Sequence, residues 1–159
     1  MDPAAVTRRL ELEALYADYA HCLDADRLEE WPDFFTEDGK YRITTAENVA
    51  QNLPLSLIYA TSRAMLRDRV KALREANIYE AQRYRHMLGP ARIEEGGDAS
   101  LMVRTSFMVA RIMHTGETAL FATGRYRDRI VIADAGARFA ERTVILDSRQ
   151  IDTLLAIPL

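Results

Sequence analysis

Three histidines, His21, His86 and His114, and one cysteine, Cys22, are the whole imidazole and thiol supply of this chain. One thiol excludes an internal disulfide and a Cys₂His₂ or Cys₄ zinc site. It also excludes a self-contained iron–sulfur cluster, and a Rieske centre in particular needs two Cys and two His. A two-histidine iron site is not excluded by number alone. His21 and Cys22 stand just ahead of Asp24 and Asp26. That grouping fits a His/Asp general base or part of a metal site. It equally fits a helix C-terminus, where the macrodipole favours histidine and the carboxylates open the next turn. His86, within Arg83-Tyr84-Arg85-His86-Met87, starts a strand. It serves either as an acid or base at a cavity mouth or as a buried histidine bonded to backbone or carboxylate. His114 falls in a turn and is expected to be exposed.

Other chemistry is sparse. There is no Gly-rich phosphate loop, no G-x-S-x-G elbow and no H-E-x-x-H. No pair of carboxylates is spaced for acid/base work. Tyr16, Tyr19, Trp31, Phe34, Phe35 and Tyr41 read as an aromatic plug between helices and sheet, with ligand stacking as the sharper reading. If a cavity opens there, the residues at its mouth are Tyr19, Asp24, Trp31, Tyr41 and His86.

The elements that must position these residues follow from periodicity. Leu12, Leu15, Tyr16, Tyr19 and Leu23 form one apolar helical face, predicting a helix from about Ala5 to Leu23 with Asp2 or Thr7 near its start. A short helix at 28–34 carries Trp31. Thr36 to Gly39 is a turn, and 40–45 a strand. Leu53 to Ala60 is apolar and reads as a short strand. Thr61 or Ser62 caps a helix running to about Glu75, with Met65, Leu66, Val70 and Leu73 inward. From Tyr84 the pattern switches to period two, giving strands at about 84–94, 100–113, 118–132 and 138–148, then an apolar tail at 153–159. Helices first and a long antiparallel sheet afterwards make an α+β layout. The helices cover one face of a strongly curved sheet, which forms a cone.

Turns at 114–117 and 134–136 imply two hairpins. In the second, pairing Ile132 with Arg138 sets Asp128 opposite Arg142 and Arg129 opposite Glu141. A one-residue slip would oppose arginines instead, so charge favours the first register. Arg125, Arg127 and Arg129 then share one face with Phe121, Val131, Phe139 and Ile145. Mixed arginine and apolar residues suit a subunit interface, and a solvated face is the plainer alternative.

The 159 residues, 48% hydrophobic and 28% charged, suit one globular domain spanning 1–159. A net charge of −3 argues against a nucleic-acid binder held by bulk charge. Arginines number 19 against 2 lysines, which fits either interface use or a GC-rich genome. No apolar run approaches a membrane span. The N-terminus lacks a basic region before an apolar stretch, so no signal peptide is expected. The lone cysteine fits a reducing cytoplasm.

Tyr19 to Tyr41 resembles the opening of the nuclear-transport-factor-2-like (NTF2-like, SnoaL-like) cone fold. More narrowly it is similar to the small (β) subunit of aromatic-ring-hydroxylating, Rieske non-haem iron dioxygenases. The supporting segments are WPDFF at 31–35, MLRDRV at 65–70, YRHMLG at 84–89, FMVARIMHTGET at 107–118 and VILDSRQIDTLLAIPL at 144–159. Each is weak alone, but their order and spacing are specific. The resemblance points to subunits acting on aromatic acids, of the terephthalate, salicylate and anthranilate types, without choosing among them.

That resemblance implies a mixed, mostly antiparallel sheet under N-terminal helices. It implies no cofactor, catalytic residue or metal ligand on this chain. The Rieske [2Fe–2S] cluster and the mononuclear Fe(II) would sit on a large (α) subunit within an α₃β₃ hexamer. The chain would self-associate as a trimer, and NAD(P)H would deliver electrons through a reductase, with or without a ferredoxin. Two other readings stay open: a stand-alone dehydratase, cyclase or isomerase using Tyr19, Asp24 and His86, and a small-molecule-binding homo-oligomer.

Overall fold

A computed structural model describes residues 2–76, 81–94, 99–149 and 157–159. Helix α1, Pro3–Asp24, starts where the Asp2 carboxylate accepts from the Ala4 N–H at 3.2 Å and proline occupies the first turn. It buries Leu12, Leu15, Tyr16, Tyr19, Cys22 and Leu23. A short 3₁₀ turn, Trp31–Phe34, leads into strand β1, Phe35–Thr45. The expected turn at 36–39 is an irregularity inside this strand, because pairing resumes at Lys40. Helix α2, Ala46–Ala50, was not legible from periodicity, being barely one turn long. Strand β2 is Ile58–Ala60 and helix α3 is Arg63–Ala76.

The Ser62 hydroxyl accepts from Met65 N–H at the start of α3. Leu66 and Val70 turn inward as expected, but Met65 is exposed, its sulfur engaged by Thr61. The long strand expected at 84–94 is two pieces, β3 (Gln82–Leu88) and β4 (Arg92–Glu94). Gly89-Pro90 separates them, since proline has no N–H for the ladder. Strands β5 (Ser100–Met113), β6 (Thr118–Ala133) and β7 (Gly136–Leu146) complete the sheet.

The strand order is β2-β1-β7-β6-β5-β3, with β4 also on β5. Among the described residues only the β1–β7 pairing is parallel; the sheet is mixed and mostly antiparallel, as expected. Helix α1 touches both β3 and β7 although β5 and β6 lie between them, so the sheet curls around it.

Two bulges set which residues face the core. In the last hairpin Asp128 pairs with Arg142 and Arg129 with Glu141, as charge required. Ile132, however, pairs with Ala137 rather than Arg138. The tight Asp134-Ala135 turn pairs Ala133 with Gly136, and the extra residue, Ala140, is absorbed between Glu141 and Phe139. The bulge flips side-chain parity, so Phe139 lies in the core against Tyr16, not beside the arginines. A second bulge at Phe121 does the same and packs that ring on Tyr84 at 5.2 Å. Val131 and Ile145 keep to the arginine side, opposite Arg138 and Arg125. Ile157 and Leu159 are buried, as expected for the tail; Leu154 and Leu155 lie outside the described residues. At Gly124 an added Cβ would fall 2.1 Å from the Ile145 carbonyl oxygen, so no larger residue fits this close strand approach.

Candidate functional site

The five mouth candidates separate into two groups. Asp24, the last residue of α1, reaches His86 on β3. The His86 N–H lies 3.1 and 3.2 Å from the two carboxylate oxygens, and the ring Nδ1 lies 2.6 Å from Oδ1. Both side chains are almost fully enclosed, at 0% and 7% exposure. Asp24 therefore tethers the end of α1 to the sheet instead of opening a solvated turn. The far ring nitrogen, Nε2, is buried without a partner among the described residues, beside the Tyr84 ring. His21, on the same last turn, is exposed. Cys22 donates to the Arg27 carbonyl, and burial pushes its thiol up to about 11.

Tyr19, Trp31 and Tyr41 form the second group, with exposures of 1%, 0% and 0%. Trp31 Nε1 donates to the Tyr19 hydroxyl at 3.1 Å. Tyr19 and Tyr41 both donate to the Leu159 carbonyl, at 2.8 and 3.0 Å, and Tyr41 accepts from the Leu159 N–H. The Trp31 ring meets Phe35 and Tyr41 edge-on at 5.8 and 5.1 Å. These polar handles are spent on one another and on the chain terminus, so no ligand can stack there without displacing them. No hydrogen bond among the described residues joins this group to Asp24 or His86.

A third constellation was only half visible in the sequence. Arg142 and Asp128 are both fully buried, joined by Nε–Oδ1 and Nη2–Oδ2 contacts of 3.0 and 2.8 Å. The Tyr16 hydroxyl donates to the same carboxylate. The guanidinium carbon lies 3.7 to 5.0 Å from the ring centres of Tyr126, Phe139, Tyr19 and Tyr16. Burial works against the Arg142 charge, yet Asp128 outweighs it and holds the guanidinium protonated. Burial raises the phenols of Tyr16, Tyr19, Tyr41 and Tyr126 above their ordinary value. A paired charge inside a ring cage fixes strand register and α1 placement. It offers no exposed proton donor.

Arg125, Arg127 and Arg129 point to the other side of the sheet, away from the core, as expected; Arg127 is exposed and its neighbours half-buried. Arg129 and Glu141 face each other in register but form no ion pair among the described residues. Three surface hollows of about 390, 350 and 290 Å³ are lined by other residues than the five mouth candidates. Among the described residues no three His, Cys, Asp or Glu side chains gather where they could hold a metal ion. Nothing described here fits a Rieske cluster or a mononuclear iron.

A mixed, mostly antiparallel sheet curled around its N-terminal helix defines a cone-fold protein of the NTF2-like class. Within that class the chain belongs to the ring hydroxylating beta subunit family, whose model matches residues 19–153. It is 47% identical to subunit beta 1 of the terminal oxygenase component of terephthalate 1,2-dioxygenase from Comamonas sp., over 94% of this chain and 97% of that one. It is 39% identical to the anthranilate 1,2-dioxygenase small subunit of Burkholderia cepacia, over 94% and 92%. A crystal structure from Novosphingobium aromaticivorans, of the β subunit of a protein assigned by description alone as an aromatic-ring-hydroxylating dioxygenase, superposes with a TM-score of 0.90 at 36% identity, covering 98% and 99% of the two chains.

Proposed function

We propose that this chain is the structural small subunit of an oxygenase that hydroxylates an aromatic acid. The observation that carries the reading is the near full-length identity to terephthalate and anthranilate dioxygenase small subunits. The burial of Trp31, Tyr19 and Tyr41 supports it, because their polar atoms are taken up by one another and by Leu159. On this reading a large subunit carries the Rieske cluster and the mononuclear Fe(II). The two chains form an α₃β₃ hexamer, built on a trimer of this chain. NAD(P)H supplies electrons through a reductase, with or without a ferredoxin, and the complex works in the cytoplasm. Arg125, Arg127 and Arg129 form part of a subunit interface.

Co-purification tests this directly. A tagged large subunit encoded beside this gene retains the untagged chain at a one-to-one ratio, and the chain purified alone carries no stoichiometric iron. Failure to be retained removes the reading.

The Asp24–His86 pair is the one observation that favours a stand-alone cone-fold enzyme. Its free nitrogen, however, is enclosed and faces protein instead of a described hollow. That placement suits a tether better than a general base, which must reach substrate within hydrogen-bond distance or through one water.

A further inference from the structure

Ile157, Pro158 and Leu159 are buried, yet they belong to no strand or helix. Among the described residues this segment's hydrogen bonds run to side chains alone. The Tyr19 and Tyr41 hydroxyls converge on the Leu159 carbonyl, and the Leu159 N–H returns a bond to Tyr41. Two donors for the carbonyl and one acceptor for the N–H grip both main-chain groups of a single residue. Its isobutyl side chain is fully enclosed as well, within the same core as Trp31. Trp31 steadies the grip through its bond to Tyr19. Burial raises both phenols above their ordinary value, so they remain donors at neutral pH. The three rings come from α1, the 3₁₀ turn and β1, and β1 is held by β2 and β7. The segment adds no ladder bond to that frame among the described residues. It can therefore leave as a unit while the sheet stays paired.

We propose that Tyr19, Trp31 and Tyr41 form a residue-binding seat inside the cone, and that segment 157–159 is a detachable strap occupying it. With the strap lifted, the seat takes an N-acylated amino-acid amide with a branched aliphatic side chain. Such a ligand offers the N–H, the carbonyl and the apolar body that Leu159 offers now. A carboxylate ligand fits less well, because the nearest guanidinium, Arg142 over the Tyr19 ring, is already committed to Asp128. An empty seat would leave enclosed hydroxyls unsatisfied, which is costly, so strap and ligand replace each other. The inference goes beyond the proposed function and does not rest on it.

Amide hydrogen exchange of the wild-type chain tests the strap. The Leu159 amide is expected to be protected, yet to exchange faster than β7 amides such as Val144, because the strap opens on its own. A Leu159 amide with no protection, or one as slow as Val144, overturns the inference. Leu159→Asp in the full chain tests the seat, and Trp31, the only tryptophan, reports on it. The buried charge is expected to lift the strap and shift Trp31 emission to the red. N-acetyl-L-leucinamide is expected to shift it back, binding at least about tenfold more tightly than N-acetylglycinamide. Adding Tyr41→Phe is expected to abolish that return. Leu159→Ala, with a smaller shift, takes its place if circular dichroism shows Leu159→Asp unfolded. No response to the leucine amide, or an equal response with Tyr41→Phe added, overturns the inference. All these readings are made on this chain alone, so their failure leaves the proposed function standing, and loss of large-subunit retention leaves the seat standing.

Discussion

Arg142 on β7 and Asp128 on β6 form a two-point ion pair with no solvent exposure on either side chain. Asp128 is also held by the Tyr16 hydroxyl, so one carboxylate ties two strands to α1. Removing one partner leaves a charge buried alone. Asp128→Asn is therefore expected to cost about 3–5 kcal/mol. The paired replacement Asp128→Leu with Arg142→Met costs less than the single change, since it leaves no unpaired charge. Urea unfolding with an unchanged m-value reads both effects.

The same cage sets an alkaline limit. The phenols of Tyr16, Tyr19, Tyr41 and Tyr126 are raised above their ordinary value of 10.0 by burial. A proton held more tightly in the folded state stabilises it fully below the unfolded pKa, and that contribution is lost as pH rises above it. Stability is expected to be flat up to about pH 9 and to fall beyond 10. Ultraviolet titration is expected to show these four phenols ionising together with unfolding. Separate ionisation near 10 in a folded chain would contradict their burial.

Trp31 is the largest fully buried side chain. Trp31→Ala is expected to destabilise the chain by about 3–5 kcal/mol and to open a cavity at the cone mouth. Any rise in binding of a small apolar dye is expected in this variant and not in the parent. A dye bound equally by both would mean the mouth is already open.

His86→Ala separates a tether from a base. A tether predicts a lower Tm and unchanged turnover per folded complex, because His86 touches Asp24 and protein. Collapse of turnover with an unchanged Tm would restore the stand-alone enzyme reading.

Much of this architecture was legible in the sequence, and the failures have definite causes. The α1 stripe from Leu12 to Leu23 and the opposed charges of Asp128/Arg142 and Arg129/Glu141 all carried through. Alternation had already placed Asp128 opposite in face to the exposed Arg127, so its burial could have been read. Phe121 and Phe139 were misplaced because single-residue bulges reverse parity and leave no periodic trace. The Asp24–His86 contact joins residues 62 apart. It depends on how the sheet curls, which local pattern does not encode.

The central claim is that this chain supports oxygenation without performing it. Product formation from an aromatic acid, with the reductase and NAD(P)H supplied, measures this most directly in three samples: this chain, its large subunit, and both together. The account predicts hydroxylated product from the joint sample and none from this chain by itself. Product from this chain alone would contradict it.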